Sequence, residues 1–326
     1  MSMARLQPPV EPDEWRALLT GRHADPGRLL GPRVLGRDTV RGTLTHHVRT
    51  FLPQASRAWL VHTDATGARV SQPMRRTHRS GIYEAIVTTA HQPASATPPP
   101  YTIRIDGPAD GRHELHDPYA FPAMLTDYDL HLLGEGRHWK SYDKLGAQLH
   151  TIDGVCGVNF AVWAPNAESV SVVGDFNGWD GRIHQLHKRI PSGIWELFVP
   201  GVKAGDNYKF RVHAHGTFTD RADPYGFGAE VPPRTASRVV DLAGYQWQDG
   251  DWMANRAAHN SLTAPINVYE VHLGSWRRPG SEPHRWLTYA DLERELVPYC
   301  VEMGFTHVEF LPPTEHPLSA AGTRRA

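Results

Sequence analysis

Short runs of alternating apolar and polar residues recur through the first two thirds of the chain. Alternation with a period of two is typical of strands that bury one face. Pro12 to Leu19 instead has helical spacing, with Trp15 and Leu18 on one side. The pattern therefore predicts a short helix followed by a β domain. Between residues 48 and 105 the strand-like runs are VRTFLP, AWLVHT, GIYEAIV and YTIRI.

These runs return in the same order later in the chain. SGIWELFV matches SGIYEAIV, YKFRV matches YTIRI, and DPYGF matches DPYAF. The offset is 112 positions between Tyr83 and Trp195 and 106 between Asp117 and Asp223. Chance similarity between two β-rich segments is the alternative, but the matched blocks keep one order. We therefore expect two tandem β domains of about 100 residues each, the size of an immunoglobulin-like sandwich.

The pattern changes near residue 266. Residues 268–273, VYEVHL, have apolar side chains on both faces, as a parallel strand covered by helices requires. Thr288 then has a capping-box relation to Asp291, which predicts a helix start. HVEFLP predicts a second strand, so this stretch begins a parallel β-α-β unit. The stripe expected to be buried on the helix is Leu292, Leu296, Cys300 and Met303.

One turn differs between the two copies of the repeat. Residues 174–180 read Gly-Asp-Phe-Asn-Gly-Trp-Asp, and counting back 112 positions places Trp179 opposite Gly67. Lys209 likewise stands opposite a threonine. An aromatic ring on a rigid turn, with Asn177 and Lys209 as donors, suits contact with a glucan chain. The alternative is that Trp179 covers the sandwich edge as part of the core.

Polar residues follow the two strands of the last segment. In parallel barrels the chemistry lies at the carboxyl ends of the strands, which would place His272, Glu315 and His316 on that side. A Glu-His pair can do acid/base work. Since no second carboxylate stands nearby, we favour the alternative that these residues hydrogen-bond to loop backbone and hold the rim.

Composition narrows the function classes. The net charge is −1 and the pI about 7.1, which argues against nucleic acid or an anionic membrane as a partner. Cys156 and Cys300 are expected to be buried thiols in a reducing compartment. Without an apolar leader or a long apolar run, a soluble cytoplasmic protein is expected. Among the ten tryptophans, Trp163 and Trp195 are predicted to lie in the core.

No motif indicates a cofactor. The closest histidine pairs, such as His213 and His215, lack the ligand spacing of a structural zinc site. The sequence also lacks the GxxxxGK(S/T) phosphate-binding loop, a GxGxxG dinucleotide-binding motif after a strand, and the GxSxG motif of serine hydrolases. We therefore expect neither a metal nor a nucleotide.

Several long segments resemble bacterial glycogen branching enzymes, that is, 1,4-alpha-glucan branching enzymes of the α-amylase superfamily. The resemblance covers nearly the whole chain up to Pro317, beyond which LSAAGTRRA leaves the family pattern. That tail suggests a truncated or frameshifted reading frame. The segments that carry the resemblance are FAVWAPNAESVSVVGDFNGWDGR, SGIWELFVPG, YEVHLGSWRR, WLTYADLERELVPY and MGFTHVEFLPPTEHP.

The resemblance implies a mainly β chain, with two tandem immunoglobulin-like sandwiches and then the first β-α-β of an incomplete (β/α)₈ barrel. Because a barrel needs about 250 residues, we expect residues beyond about 260 to be poorly ordered or aggregation-prone in isolation. The expected parts are an N-terminal sandwich at 1–122, a connecting helix and loop at 123–150, a glycogen- or starch-binding sandwich at 151–244, a linker at 245–261 and the truncated barrel start at 262–326.

The implied activity is transfer of an α-1,4-glucan segment to a 6-hydroxyl, which makes an α-1,6 branch by the retaining route. The catalytic carboxylates of the family belong to later barrel strands, so this chain is expected to have no catalytic residue and no activity alone. Three interpretations stay open: an N-terminal fragment of the enzyme, a stand-alone glucan-binding module, and one half of a split enzyme. The expected partners are α-1,4-glucan or glycogen and the missing C-terminal part.

Overall fold

The computed structural model describes residues 10–38, 40, 43–64, 67–90, 101–106, 112–231, 233–280 and 284–313. They divide into two units: Met1–Phe227 with Ala236–Val240, and Gly228–Thr235 with Asp241–Ala326. The first unit holds two β-sandwiches and the second an α/β segment. Each unit is considered by itself.

The first sandwich begins with helix α1 (Pro12–Leu19), as the spacing predicts. Its strands form two antiparallel sheets, in the orders β1-β2-β6-β5 and β4-β3-β7-β8. Side chains from both sheets fill one core around Val48, Leu60, Tyr83 and Ile103. The strands are β1 (Gly31–Asp38), β2 (Thr43–Phe51), β3 (Arg57–Thr63), β4 (Arg69–Pro73), β5 (Arg75–His78), β6 (Ile82–Ala90), β7 (Tyr101–Asp106) and β8 (Arg112–Leu115).

The second sandwich begins with helix α2 (Asp127–Gly134), capped by a reciprocal pair of hydrogen bonds between Thr126 and Asp129. Its two sheets include the orders β9-β10-β13-β12 and β11-β14-β17, with β15 on the other side of β14. Its strands are β9 (Gly146–Ile152), β10 (Val155–Trp163), β11 (Ser169–Gly174), β12 (His187–Arg189), β13 (Ile194–Pro200), β14 (Asn207–Ala214) and β15 (Thr217–Arg221), and two short strands follow, β16 (Gly228–Ala229) and β17 (Ser237–Arg238).

Strand register confirms that the two sandwiches repeat one framework. Tyr83 pairs with Thr50 across β2 and β6, and 112 positions later Trp195 pairs with Val162 across β10 and β13. The second sheets agree as well, because Leu60 pairs with Ile103 and Val172 pairs with Phe210. The order β1-β2-β6-β5 also matches β9-β10-β13-β12. Chance similarity between unrelated strands would not reproduce this register.

The repeat reaches further upstream than the matched blocks. The first strand of the second sandwich starts at residue 146, inside the range expected to be a connecting loop. A Gly-Arg-His triplet follows each helix, at 21–23 and 136–138, and Gly31 and Gly146 open β1 and β9 with φ of 85° and 88°. The helix and the first strand therefore belong to each copy, and the predicted boundary at 151 is too late.

Two buried-residue predictions are wrong. Trp163 is 62% exposed, while Trp195 is fully buried as predicted. Trp163 is the last residue of β10. Ala161, two residues earlier on the same face, is fully buried, so that face is covered and Trp163 is exposed because it stands at the end of the strand. Alternation assigns a side chain to a face but does not show where along the strand the covering layer stops. Cys156 is exposed as well, whereas Cys300 is buried.

A buried polar contact joins the two sandwiches of the first unit. Gln185 is fully buried, and its Nε2 donates to the carbonyl oxygen of Leu18 at 2.9 Å. Its Oε1 accepts from the backbone N–H of His23 at 3.1 Å, and its own N–H donates to the Tyr119 hydroxyl at 3.1 Å. Every polar group of Gln185 has a partner. The contact therefore holds the segment from Leu18 to His23, together with the first sandwich, against the second sandwich.

The second unit contains α3 (Gly250–His259), β18 (Val268–Val271), α4 (Tyr289–Glu302) and β19 (His307–Phe310). The predicted parallel pair is confirmed, with Val268 opposite His307. The predicted cap of α4 is confirmed too. Helix α3 lies in the stretch expected to be a linker, where it buries none of its side chains.

The buried stripe of α4 is shorter than expected. Leu292, Leu296 and Cys300 pack with Val271 in a small core. Met303, predicted to extend this stripe, is 55% exposed. It occupies the C-cap position, where the helix has already ended, so the helical spacing no longer sets its direction.

Candidate functional site

The turn after β11 is built around Asn177. Its Oδ1 accepts the backbone N–H of Gly174 at 3.0 Å, and its Nδ2 donates to the carbonyl oxygen of Val172 at 2.9 Å. Nδ2 also lies 3.0 Å from Nδ1 of His184. Asn177 is only 5% exposed. Its amide is engaged inside the turn, so the predicted sugar donor instead holds the turn in shape.

Trp179 is the second residue of a left-handed pair in this turn. Gly178 has φ of 60° and Trp179 has φ of 61°. A bulky residue in this region is strained, at a cost of about 1–2 kcal/mol, and such strain often marks a functional position. The half-buried Trp179 is fixed by its N–H on the Gly174 carbonyl at 3.0 Å and by its indole Nε1 on Oδ1 of Asp175 at 2.9 Å.

Lys209 lies on the neighbouring strand at the same end of the sheet. It pairs with Val173 on β11, one residue before the turn begins. Asn207 is two residues away on β14 and therefore shares its face. Nδ2 of Asn207 donates to Oδ2 of Asp175 at 3.3 Å, and Asp175 also accepts the indole of Trp179. Asp175 therefore links Trp179 to Asn207, which lies on the same face of β14 as Lys209.

Two ion pairs lie beside the turn that carries Trp179, and neither was predicted from the sequence. Arg182 makes a two-point contact with Asp180, at 2.9 Å from Nε to Oδ1 and 2.6 Å from Nη2 to Oδ2. Arg211 holds Asp220 in the same way, at 2.7 and 2.9 Å. Burial alone would raise the pKa of the Asp180 carboxyl, but the hydrogen bonds from Arg182 outweigh it and lower that pKa. Both carboxylates stay ionised and paired, and an exposed ring, Phe218, lies beside them.

In the first sandwich, Gly67 occupies the position that matches Trp179. Strand β4 pairs regularly with β3 there, whereas the second sandwich makes only a bridge between Ser171 and Gln185. Gly67 has open space around its Cα and a φ of 85°. The irregular segment between β11 and Gln185, which has the same length as its counterpart in the first sandwich, presents Trp179.

The barrel-rim candidates are only partly visible. His272 directly follows β18, its Nδ1 lies 3.0 Å from the Ser275 hydroxyl, and its carbonyl oxygen accepts from the N–H of Ser275 at 3.0 Å. These local contacts agree with a residue that holds a loop. Glu315 and His316 lie outside the described residues, so the Glu-His pair stays a prediction.

None of the helices between residues 10 and 313 is long and apolar enough to cross a membrane. Within the described ranges, no three His, Cys, Asp or Glu side chains are grouped so that they could hold a metal ion.

Two protein-family models match the chain. Residues 11–119 match the N-terminal domain of alpha-1,4-glucan branching enzyme GlgB. Residues 144–226 match carbohydrate-binding module 48, the isoamylase N-terminal domain. The second match starts two residues before β9 and contains both Trp179 and Lys209.

Curated relatives extend the likeness beyond these two models. The 1,4-alpha-glucan branching enzyme GlgB of Rhodopirellula baltica is 46% identical over 309 residues, which is 94% of this chain and 40% of the relative. The chain belongs to the GlgB family. GlgB of Paramagnetospirillum magneticum is 45% identical over 307 residues, and GlgB of Rubrobacter xylanophilus 46% over 308, covering 39% and 40% of those proteins. The chain therefore corresponds to the N-terminal portion of GlgB and spans about 40% of its relatives' length.

Proposed function

We propose that the second sandwich binds an α-1,4-glucan chain, with Trp179 and Lys209 as its main contacts. The observation that carries the proposal is the fixed indole of Trp179, held by two hydrogen bonds on a left-handed turn. The face of such a ring packs on the apolar face of a sugar, while an ammonium donates to its hydroxyls. The match to a carbohydrate-binding module supports the same ligand class.

For the chain as a whole, the proposed role is that of the N-terminal portion of a branching enzyme. The complete enzyme would move an α-1,4-glucan segment to a 6-hydroxyl and so make an α-1,6 branch. The names of the GlgB relatives support this activity. In this proposal the chain contributes glucan binding, and the carboxylates of the retaining route lie in parts of the relatives that it does not match.

The second unit is proposed to be the first β-α-β of a (β/α)₈ barrel. Val297, Val301 and Phe310 support this, because each is about half exposed or more despite its apolar side chain. Further strands and helices of a barrel would bury these residues. His272 would then lie at the rim that carries the active site.

A second candidate function is that of one component of a split enzyme, and the same exposed apolar face favours it. An iodine-stain branching assay distinguishes the two. The chain is assayed alone and together with the separately expressed C-terminal part of a GlgB relative. Branching only in the mixture supports the split enzyme, whereas branching by the chain alone contradicts both proposals.

Co-sedimentation with glycogen tests the binding proposal. Trp179→Ala is expected to weaken binding about tenfold, because burial of an aromatic side chain contributes about 1.5–3 kcal/mol. Trp139→Ala is the matched control, since this highly exposed tryptophan lies outside the strands of both sandwiches. Equal pelleting of wild type and Trp179→Ala would remove Trp179 from the site.

A further inference from the structure

A cleft of about 320 Å³ lies between the two sandwiches of the first unit. This volume is at the lower end of the range for small-molecule sites, about 300–1,000 Å³. Both sandwiches contribute to the walls, and the surface is mainly apolar with a few polar groups. The side chains and backbone that matter most are Leu52, Gln54 and Leu115 from the first sandwich and Phe176, His184 and Gly201 from the second.

His184 supplies a donor to this cleft. The orientation of Asn177 is fixed, because its Oδ1 accepts the Gly174 N–H, so its Nδ2 must donate to Nδ1 of His184. In the neutral imidazole the proton then sits on Nε2, which has no protein partner within the described residues. Burial lowers the pKa of His184 to about 4, so the neutral form prevails at pH 7. The Phe176 ring lies alongside, with centroids 5.7 Å apart and planes at 37°.

Gln54 supplies a primary amide at the cleft. Its side chain is exposed, and its amide makes no hydrogen bond with any of the residues that the structure describes. A Cβ placed on Gly178 would lie 4.0 Å from Nε2 of Gln54. The amide therefore reaches from the first sandwich toward the turn that carries Trp179, and it offers a ligand both a donor and an acceptor.

The charges around the cleft select a neutral ligand. Among the described lining residues none is Lys or Arg, so nothing there balances a phosphate or carboxylate. The two carboxyl groups are already engaged. Glu114 pairs with Arg69, and buried Asp117 accepts the Tyr101 hydroxyl at 2.7 Å and the Tyr119 N–H at 3.0 Å. A cation therefore finds no available anionic partner.

We propose that this cleft is a second glucan site, which holds a short neutral segment of an α-1,4-glucan between the sandwiches. The apolar wall and the Phe176–His184 pair fit the apolar face of a sugar, and Gln54 and His184 fit its hydroxyls. Phe176 belongs to the same turn that presents Trp179, so a glucan long enough to span both places would be held near the cleft, whereas a short oligosaccharide binds each site separately. The inference rests on the proposed function for its ligand class, but the two sites use different residues.

Nuclear magnetic resonance on the full chain tests it, with maltotriose as the probe. Backbone amides of Gln54 and Gly201 report on the cleft, and the indole N–H of Trp179 reports on the turn. In Trp179→Ala the cleft amides are expected to keep their response. Gln54→Trp places a bulky side chain at an exposed position of the cleft. The cleft response to maltotriose should then weaken at least tenfold, while the indole N–H of Trp179 still shifts.

The outcomes separate the two proposals. Shifts at the Trp179 indole alone would overturn the cleft and leave the proposed function intact. Shifts at the cleft amides alone would support the cleft site and overturn the proposed glucan contact at Trp179. Loss of the cleft response in Trp179→Ala, or its survival in Gln54→Trp, would contradict an independent site there. Glucose 6-phosphate, the anionic control, should produce no cleft response, and a stronger response than maltotriose would overturn the neutral-ligand assignment.

Discussion

The two sandwiches share a framework, and the turn after β11 is the difference that bears on the proposed ligand contact. Tyr101 donates to buried Asp117 at 2.7 Å, and Tyr208 donates to buried Asp223 at 2.5 Å. Both carboxylates also accept a backbone N–H two residues on, at 3.0 and 2.8 Å. Only the second sandwich replaces an edge strand with the turn of Trp179. The repeated residues therefore maintain the fold, and the loop that is not repeated carries the proposed ligand contact.

A glutamate found in both sandwiches shows how one framework position acquires different partners. Glu84 and Glu196 are 112 positions apart on matching strands, β6 and β13. In the first sandwich Glu84 accepts from Nε of Arg49 at 2.7 Å. In the second, Glu196 pairs with Arg189 and accepts the backbone N–H groups of residues 124 and 125 at 3.1 Å each. The carboxylate thus ties the segment before α2 to the second sandwich.

The largest expected effect comes from the matched core aromatics. Trp195→Ala and Tyr83→Ala should each lower the free energy of unfolding by about 3–5 kcal/mol, because each leaves a large cavity. Urea denaturation measures both. Trp163→Ala, on a strand that neighbours Trp195, is the control and should stay within about 0.5 kcal/mol. A large loss for Trp163→Ala would contradict its exposed position.

The matched glutamates come next. Glu84→Ala and Glu196→Ala should each destabilise the chain by about 3–5 kcal/mol, because buried Arg49 loses its partner in the first and Arg189 loses a buried carboxylate in the second. Glu114→Ala, which breaks the exposed pair with Arg69, should cost no more than about 1 kcal/mol. Thermal unfolding of the three variants tests whether the first two lose more stability than Glu114→Ala. An equal loss of stability in all three would refute this prediction.

Acid sensitivity of the Glu84 contribution follows from its pKa. Burial alone would raise the pKa of this carboxyl, but His47 and Arg49 outweigh it and lower the pKa to about 2. The stabilisation is therefore present above the unfolded value of about 4.5 and is lost as pH falls through 2. Unfolding free energies of wild type and Glu84→Ala should converge toward pH 2.

The Tyr–Asp hydrogen bonds have a smaller effect with the opposite pH dependence. Tyr101→Phe and Tyr208→Phe should each cost about 1–3 kcal/mol, because a buried carboxyl loses its donor. Burial raises the pKa of both Asp117 and Asp223 to about 6, so their contribution is full below the unfolded value of 3.8 and is lost as pH rises through 6. With Asp117→Asn, the fall in stability between pH 4 and 6 should become shallower, and an unchanged slope would contradict it.

Much of the framework could be predicted from local sequence. Helix α1, the cap formed by Thr288 and Asp291, and the parallel pair of β18 and β19 all depend on residues near one another in the chain. The repeat offset also predicted the shared register. The start of the second sandwich was missed, although the repeated Gly-Arg-His triplet was a visible signal.

The rest depends on contacts between residues far apart in the chain. Gln185 meets Leu18 across 167 positions, and no local pattern indicates that contact. Trp163 was misassigned because strand periodicity does not reveal where along β10 the covering layer ends. Asn177 was taken for a ligand donor, but its three partners lie within the turn and beside it. Composition and spacing predict the element on which a side chain lies. They do not reveal which groups are its hydrogen-bond partners.

Hydrogen–deuterium exchange with maltoheptaose tests the central claim, that glucan binds at the loop by which the second sandwich differs from the first. The account predicts slower exchange in peptides covering residues 174–182, with the effect lost in Trp179→Ala. Peptides covering residues 62–70, the matching place in the first sandwich, should exchange at the same rate with and without the sugar. Protection at 62–70 without protection at 174–182 would contradict the account.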